Sequence, residues 1–242
     1  MSTTAGPGLI DRIVPGPLSV EAFRRPDMPA LFAPPASHPP RILLLHGSAG
    51  PRAYSRLLTQ EAAMVLEAFG AEVRIFDPLG LPLPDDAAAD HPRVAELRTL
   101  SGWSEGQVWC SPESNGAMTA ILKAQIDWLP LPAGAPGLTQ GKTLALMQIS
   151  GGSQTLNAVD QMRILAQRMG MIAIPSQCAI AEAYNAFEEE GRMKPSACYD
   201  QVVDLMEELM KFTLLTRGAS ACLADHYSAR KDAGTEKRPA GR

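Results

Sequence analysis

The sequence predicts a doubly wound α/β domain built on a parallel sheet of five strands. Three observations carry that prediction. Apolar runs of strand length alternate with amphipathic helical stretches between Arg41 and Leu215. Gly70 falls where a left-handed residue ends the first helix. The loops after the first, third and fourth strands share a composition rich in Gly, Ser and Asn.

Taken in order, Ile42–Leu45 is strand one and Tyr54–Phe69 its helix. Glu72–Phe76 is strand two, Pro92–Ser101 is helical, and Gln107–Cys110 is a short third strand. A helix over Gly116–Leu129 places Met118, Ile121, Leu122, Ile126 and Leu129 on one face. Thr143–Ile149 is strand four, Asn157–Met169 a helix, and Met171–Ile174 strand five. A last long helix, Tyr199–Leu215, presents Val202, Met206, Leu209, Met210 and Thr213 at helical spacing. If the order is the flavodoxin-like 2-1-3-4-5, the ligand crevice opens at the carboxyl ends of strands one and three.

The chain divides into a Pro-rich N-terminal arm over residues 1–40, the flavodoxin-like domain over 41–217, and a C-terminal extension over 218–242 that ends in a disordered tail. Nine of the 21 prolines precede Arg41, yet the arm also carries Leu9, Ile10, Ile13, Val14, Phe23, Leu31 and Phe32. A solvated linker has no need of those groups, so the arm is expected to lie across a globular surface or a neighbouring subunit.

With 242 residues, 45% of them hydrophobic, the chain buries one substantial core. A net charge of -4 and the lack of a Lys/Arg stripe argue against a nucleic-acid partner. No long apolar run supports a membrane span or a secretory leader, and the expected location is cytoplasmic. Cys110, Cys178, Cys198 and Cys222 form neither a CxxC nor a metal-ligand spacing, so they are expected to be reduced, non-catalytic thiols, with no metal site.

The three loops read HGSAGPRAYS, SPESNG and SGGSQTLN. Although they lie about 60 and 40 residues apart in the chain, the switch-point rule collects them in one crevice. In the first, Gly47 allows a sharp turn, Ser48 and Ser55 offer hydroxyls, Arg52 or Arg56 adds charge, and the helix amides point at an anion. In the second, Pro112 fixes the chain, and Glu113, Ser114, Asn115 and Gly116 supply amides fit for the edge of a planar heteroaromatic ring. An ordinary N-cap at Ser114 or Asn115 explains the same residues. In the third, Gly151 and Gly152 after Ser150 permit close approach to the main chain.

Neither GxxxxGK[ST] nor GxGxxG is present. HGSAG imitates a nucleophile elbow around Ser48, but His46 replaces its first glycine, and an elbow after the first strand is misplaced for an α/β-hydrolase.

The strings RILLLHGS, EVRIFDPLGLPLPDD, WSEGQVWCSPE, GAMTAILKAQIDW, QGKTLALMQISGGSQTLNAV and GRMKPSACYDQVVDLMEELMKFTLLTR closely resemble the ArsH-type NADPH-dependent FMN reductases, the arsenical-resistance flavoproteins. The resemblance implies a flavodoxin-like subunit that binds FMN, is reduced by NADPH, and assembles as a homotetramer with flavin sites at subunit contacts. Such enzymes pass electrons to small-molecule acceptors: oxygen, quinones, azo dyes, metal ions or organoarsenicals. By position, Ser48, Arg52, Tyr54 and Ser55 hold the phosphate, Pro112, Glu113, Ser114, Asn115 and Gly116 line the flavin edge, and Ser150, Gly151 and Gly152 close its other side. Lys123, Gln125 and Asp127 fall on the helix that faces a neighbouring subunit. The cofactor performs the redox chemistry, so no side chain is required as a general acid or base.

The chain departs from the family pattern GSxRxRSxS in three places. Gly50 stands where the first arginine is expected, Pro51 follows it, and Ala53 replaces a serine. Losing one guanidinium and one hydroxyl removes about 1.5–3 and about 1 kcal/mol, a weakening of FMN affinity by about two orders of magnitude. Ser114-Asn115 replaces an Arg-His pair of close relatives, while Asn115 fits the wider PExN pattern. The rival reading is a non-catalytic flavodoxin-like electron carrier, or a flavin-responsive binding module with weakened FMN affinity.

Overall fold

The computed structural model describes residues 36–84, 90–129, 137–153 and 156–236. Nearly all of the expected N-terminal arm lies outside them.

β1 (Arg41–His46) occupies the middle of the sheet because its side chains are buried on both faces. It pairs in parallel with β2 (Glu72–Phe76) and with β3 (Gly106–Ser114), and β3 pairs in parallel with β5 (Thr143–Ile149). The order β2-β1-β3-β5-β6 is the expected 2-1-3-4-5 once the added β4 is discounted.

Alternation along the strands divides the core in two. Ile42, Leu44, Val108, Cys110, Ala145 and Met147 face one side, where α1 (Tyr54–Ala68) and the long C-terminal α6 (Ala197–Thr216) cover them. Leu43, Leu45, Trp109, Leu144 and Leu146 face the other, under α2 (Pro92–Trp103), α3 (Ala120–Asp127) and α4 (Asn157–Arg168). Each fully buried leucine contributes about 1.5–3 kcal/mol of burial. Trp109 is wholly enclosed, and its indole N–H donates to Gln107 Oε1 at 2.9 Å. The helix end at Gly70 is as expected: its φ is +86°, its amide donates to Glu67 O, and the Ala71 amide donates to Leu66 O.

Three elements differ from the sequence expectation. The third strand runs on to Ser114 and folds back as a hairpin with β4 (Ala117–Met118). Asn115 (φ 52°) and Gly116 (φ 76°) form its two-residue turn, because both tolerate the left-handed conformation that such a turn demands. The following helix therefore starts at Ala120 instead of Gly116, capped by Thr119, whose Oγ1 accepts from the Leu122 amide.

The fifth strand is split. β6 (Ile172–Ala173) pairs with the start of β5 and β7 (Cys178–Ile180) with its end. Pro175 has no N–H to give a ladder, and Arg163 spans the gap with bonds to Ile174 O and to Gln177 Oε1. Beyond β7 come the short α5 (Ala183–Ala186) and α6. After α6, a 3-10 turn and α7 (Ser220–Ala224) lead to α8 (Tyr227–Glu236), a helix where the expected tail begins.

Candidate functional site

The loops after β1, β3 and β5 all leave the carboxyl edge of the sheet, and the parallel register sets them side by side. Gly47 makes the closest junction. Its amide donates to Cys110 O at 2.9 Å and its carbonyl accepts from Thr119 Oγ1 at 2.8 Å. A Cβ at this position would sit 2.5 Å from Thr119 Oγ1 and 2.9 Å from Pro112 Cδ, so glycine is what lets the first loop lie against the second.

Past Gly47 the chain enters α1 through Ala53, which supplies no side-chain cap, and the first turn of α1 has no acidic residue. Its positive end and free amides are therefore uncompensated. Beside them, the buried Ser55 donates from Oγ to Ser48 Oγ at 3.0 Å. The neighbouring helix ends at this edge differ. Thr119 caps α3, while Gln148 Oε1 accepts from the Ala158 and Val159 amides at the start of α4. Only α1, of these three, keeps its N-terminus open to an anion.

The cations near it are committed in part. Arg56 Nη1 pairs with Asp77 Oδ2 at 3.1 Å, and Arg52 donates to the Glu189 carbonyl oxygen. The Tyr54 ring packs against Phe187 in a tilted pair, centroids 5.7 Å apart, and is 40% exposed. His46, buried beneath the loop, has its pKa lowered, first by burial and then by the Arg56 charge, so its imidazole is held neutral. Asp77 has its carboxyl pKa lowered, chiefly by the Leu79 amide.

In the second loop, Pro112 pairs opposite Ile149, and Glu113 Oε2 accepts from Gln148 Nε2 at 2.7 Å. Ser114 pairs with Ala117, leaving Asn115 and Gly116 exposed at the hairpin tip. Gln161 of α4 steadies that tip by donating to Gly116 O and accepting from the Met118 amide. In the third loop, Ser150 is anchored through its amide to Ile180 O, and Gly152 O accepts from the Glu182 amide. Gly151 and Gly152 are exposed, and a Cβ on either meets no atom within 4 Å. The main chain there borders open space.

The twelve expected site residues thus sit along one edge, on three adjoining loops. Gln125 shares α3 with Lys123 and Asp127 but points the other way. It is fully buried and donates to His46 O at 2.9 Å, while Lys123 and Asp127 form an exposed i,i+4 ion pair.

Sequence reasoning missed Gln148, Thr119 and the segment 182–193. Arg192 donates to the buried Glu61 of α1 through Nε at 2.6 Å, and the Met193 amide adds a bond at 3.0 Å, so that this segment is pinned beside Phe187 and Tyr54. Among the described residues no group of three or more His, Cys, Asp or Glu could hold a metal. Burial raises the Cys110 and Cys178 thiols to about 12, which removes them as nucleophiles.

A flavodoxin-like strand order with an anion-ready helix at its switch point defines a mononucleotide-binding protein. Residues 40–185 match the profile of the family described as NADPH-dependent FMN reductase, and the chain belongs to that family. It is 60% identical over 218 residues to the NADPH-dependent FMN reductase ArsH of Rhizobium meliloti (strain 1021), covering 90% of each chain. The ArsH of Shigella flexneri is 56% identical over 209 residues, 86% of this chain and 82% of that one. Among solved structures, the flavoenzyme NAD(P)H:(acceptor) oxidoreductase FerB from Paracoccus denitrificans superposes with a TM-score of 0.61 at 18% identity, covering 72% of this chain and 97% of that one. The NADH:FMN oxidoreductase EMOB, in its apo form, gives 0.57 at 16% identity, with 71% and 89% covered. Those two likenesses bear on the fold.

Proposed function

We propose that the protein is an ArsH-type NADPH-dependent FMN reductase whose flavin lies along the carboxyl edge of the sheet. The observation that carries this reading is the open N-terminus of α1 beside the Ser48–Ser55 hydroxyl pair. It fits the phosphate of FMN: an anion, several amide and hydroxyl donors, and the positive end of a 15-residue helix.

The residues present suit the rest of the cofactor as well. Ser48, Tyr54 and Ser55 hold the phosphate end, with Arg52 at its margin. The stretch Pro112 to Gly116 lines the ring edge, where the hairpin is fixed through Glu113, and Ser150 to Gly152 offer exposed main chain on the other side. FMN, when bound, would supply the redox chemistry between NADPH and a small-molecule acceptor. The chain binds and orients: Gln148 fixes Glu113, Gln161 fixes the hairpin tip, and Glu61 fixes the wall that carries Phe187.

The acceptors are small molecules, with oxygen, quinones, metal ions and organoarsenicals as the class. A homotetramer and a cytoplasmic location belong to the same reading and rest on resemblance to the family. Among the described residues no helix is long and apolar enough to cross a membrane.

The test is NADPH consumption by the purified protein with excess FMN. Turnover above a flavin-only control is expected, and none above that control would reject the reductase in favour of a non-catalytic flavin-binding module. Supplying trivalent methylarsenite in the same assay and following arsenic speciation tests that acceptor.

A further inference from the structure

The opposite edge of the sheet holds a second cavity, of about 260 Å³, far from the flavin edge in the fold. It lies where β1 and β5 begin, α2 ends and the 3-10 turn follows α6. Arg41, Lys142 and Arg217 line it, together with His38, Trp103 and Glu105.

The charges in this space do not balance. Glu105 is the lining carboxylate, and it accepts from the Arg41 amide and lies 3.2 Å from Arg217 Nε. Arg41 also reaches Glu72, on β2, at 3.4 Å, and Glu72 is shared with Arg74. Among the described residues, three cations therefore meet Glu105 inside the pocket and Glu72 at its margin.

Arg217 is the most telling. Its side chain is 6% exposed, its Nη2 donates to His38 O at 2.7 Å, and its buried Nε is ion-paired with Glu105 Oε1 at 3.2 Å but without the alignment of a hydrogen bond. A buried guanidinium N–H is ordinarily met by a well-aligned acceptor, because desolvating it with a poor one is costly. Lys142 is the second such group. Its Nζ donates to the carbonyls of Ser101 and Gly102 at the end of α2, which leaves a third N–H, and burial depresses its pKa to about 8. An anion in the cavity would supply an acceptor to Lys142 Nζ, stabilise its charged form, and add negative charge beside the Arg217 and Arg41 guanidiniums.

We propose that this pocket binds a small oxyanion, a phosphate or carboxylate group, through Lys142, Arg217 and Arg41. Guanidinium forks and an ammonium match the lone pairs of such groups, and a cavity of this size admits a small anion in preference to a nucleotide. The site is independent of the flavin reading, lying at the other end of the strands.

The experiment titrates the full-length protein, in saturating FMN so that the α1 terminus is filled, with inorganic phosphate and separately with citrate. Chloride keeps the ionic strength constant, and binding is followed by calorimetry and thermal denaturation. A saturable heat and a rise in Tm are expected with at least one of the two, and which one responds separates a phosphate from a carboxylate ligand. Lys142→Gln should weaken that binding at least tenfold while leaving NADPH oxidation unchanged. If that variant does not fold, Arg41→Gln, a half-exposed position, should weaken it likewise. Absence of saturable binding by either anion, or undiminished binding in the folded variant, overturns the proposal.

Discussion

Gln148 Nε2 donates to Glu113 Oε2 at 2.7 Å, and this one bond ties the hairpin after β3 to the strand beside it. The other end of the same side chain accepts from the Ala158 and Val159 amides at 3.0 and 3.1 Å. Gln148→Leu should therefore leave two helix amides and a carboxylate without their partner, costing about 1–3 kcal/mol. Denaturant unfolding measures that loss, and FMN retention should fall with it. A Gln148→Leu protein as stable as the parent would show that the amide does not organise this edge.

Gly47→Ala should be disproportionately damaging for so small a change. The added methyl has Thr119 Oγ1 and Pro112 Cδ inside van der Waals contact, at 2.5 and 2.9 Å. Relief requires the first and second loops to separate, an overpacking cost of about 1–3 kcal/mol. The expected outcome is a lowered Tm together with weaker FMN binding, whereas Gly151→Ala, which meets no atom within 4 Å, should leave Tm nearly unchanged.

Acid stability should report on His46. Its folded-state pKa is lowered from 6.5, so the unfolded chain binds the proton more readily. The stability linked to it is fully present above about pH 6.5 and is lost as pH falls through the lower folded value. Asp77, depressed from 3.8, acts only in a more acidic window. Unfolding free energies measured from pH 7 to 5 should decline, and His46→Phe, similar in size, should flatten that slope. An unchanged slope in the variant would remove His46 as its cause.

Much of this was legible from the chain because strands and helices carry their periods locally. The succession of strands and helices and the end of α1 at Gly70 follow from apolar runs and glycine positions, while the order of the sheet and the gathering of three loops at one edge follow from the flavodoxin-like pattern. The hairpin after β3 was hidden although Asn115-Gly116 signals one, since the same residues also read as a helix start. Pro175 breaks the edge strand, and the Arg163 side chain, twelve residues earlier, bonds across the break. The bonds that hold the site rigid, Gln148 to Glu113, Thr119 to Gly47 and Glu61 to Met193, join residues 35, 72 and 132 apart, and no local pattern announces them.

The departures at Gly50 and Ala53 take on a definite form in the structure. Ala53 is the residue that leaves α1 without a side-chain cap, so phosphate would meet bare amides and the Ser48–Ser55 pair. Weaker retention of FMN is the expected consequence of these two positions.

The most direct measurement compares FMN and riboflavin, which differ only in the phosphate, by fluorescence titration of the purified protein. An anion site at the head of α1 predicts that FMN binds and that riboflavin binds about 100-fold more weakly, a loss of about 3 kcal/mol. Equal affinity for the two, or binding of neither, would contradict the assignment of that helix terminus to the flavin phosphate.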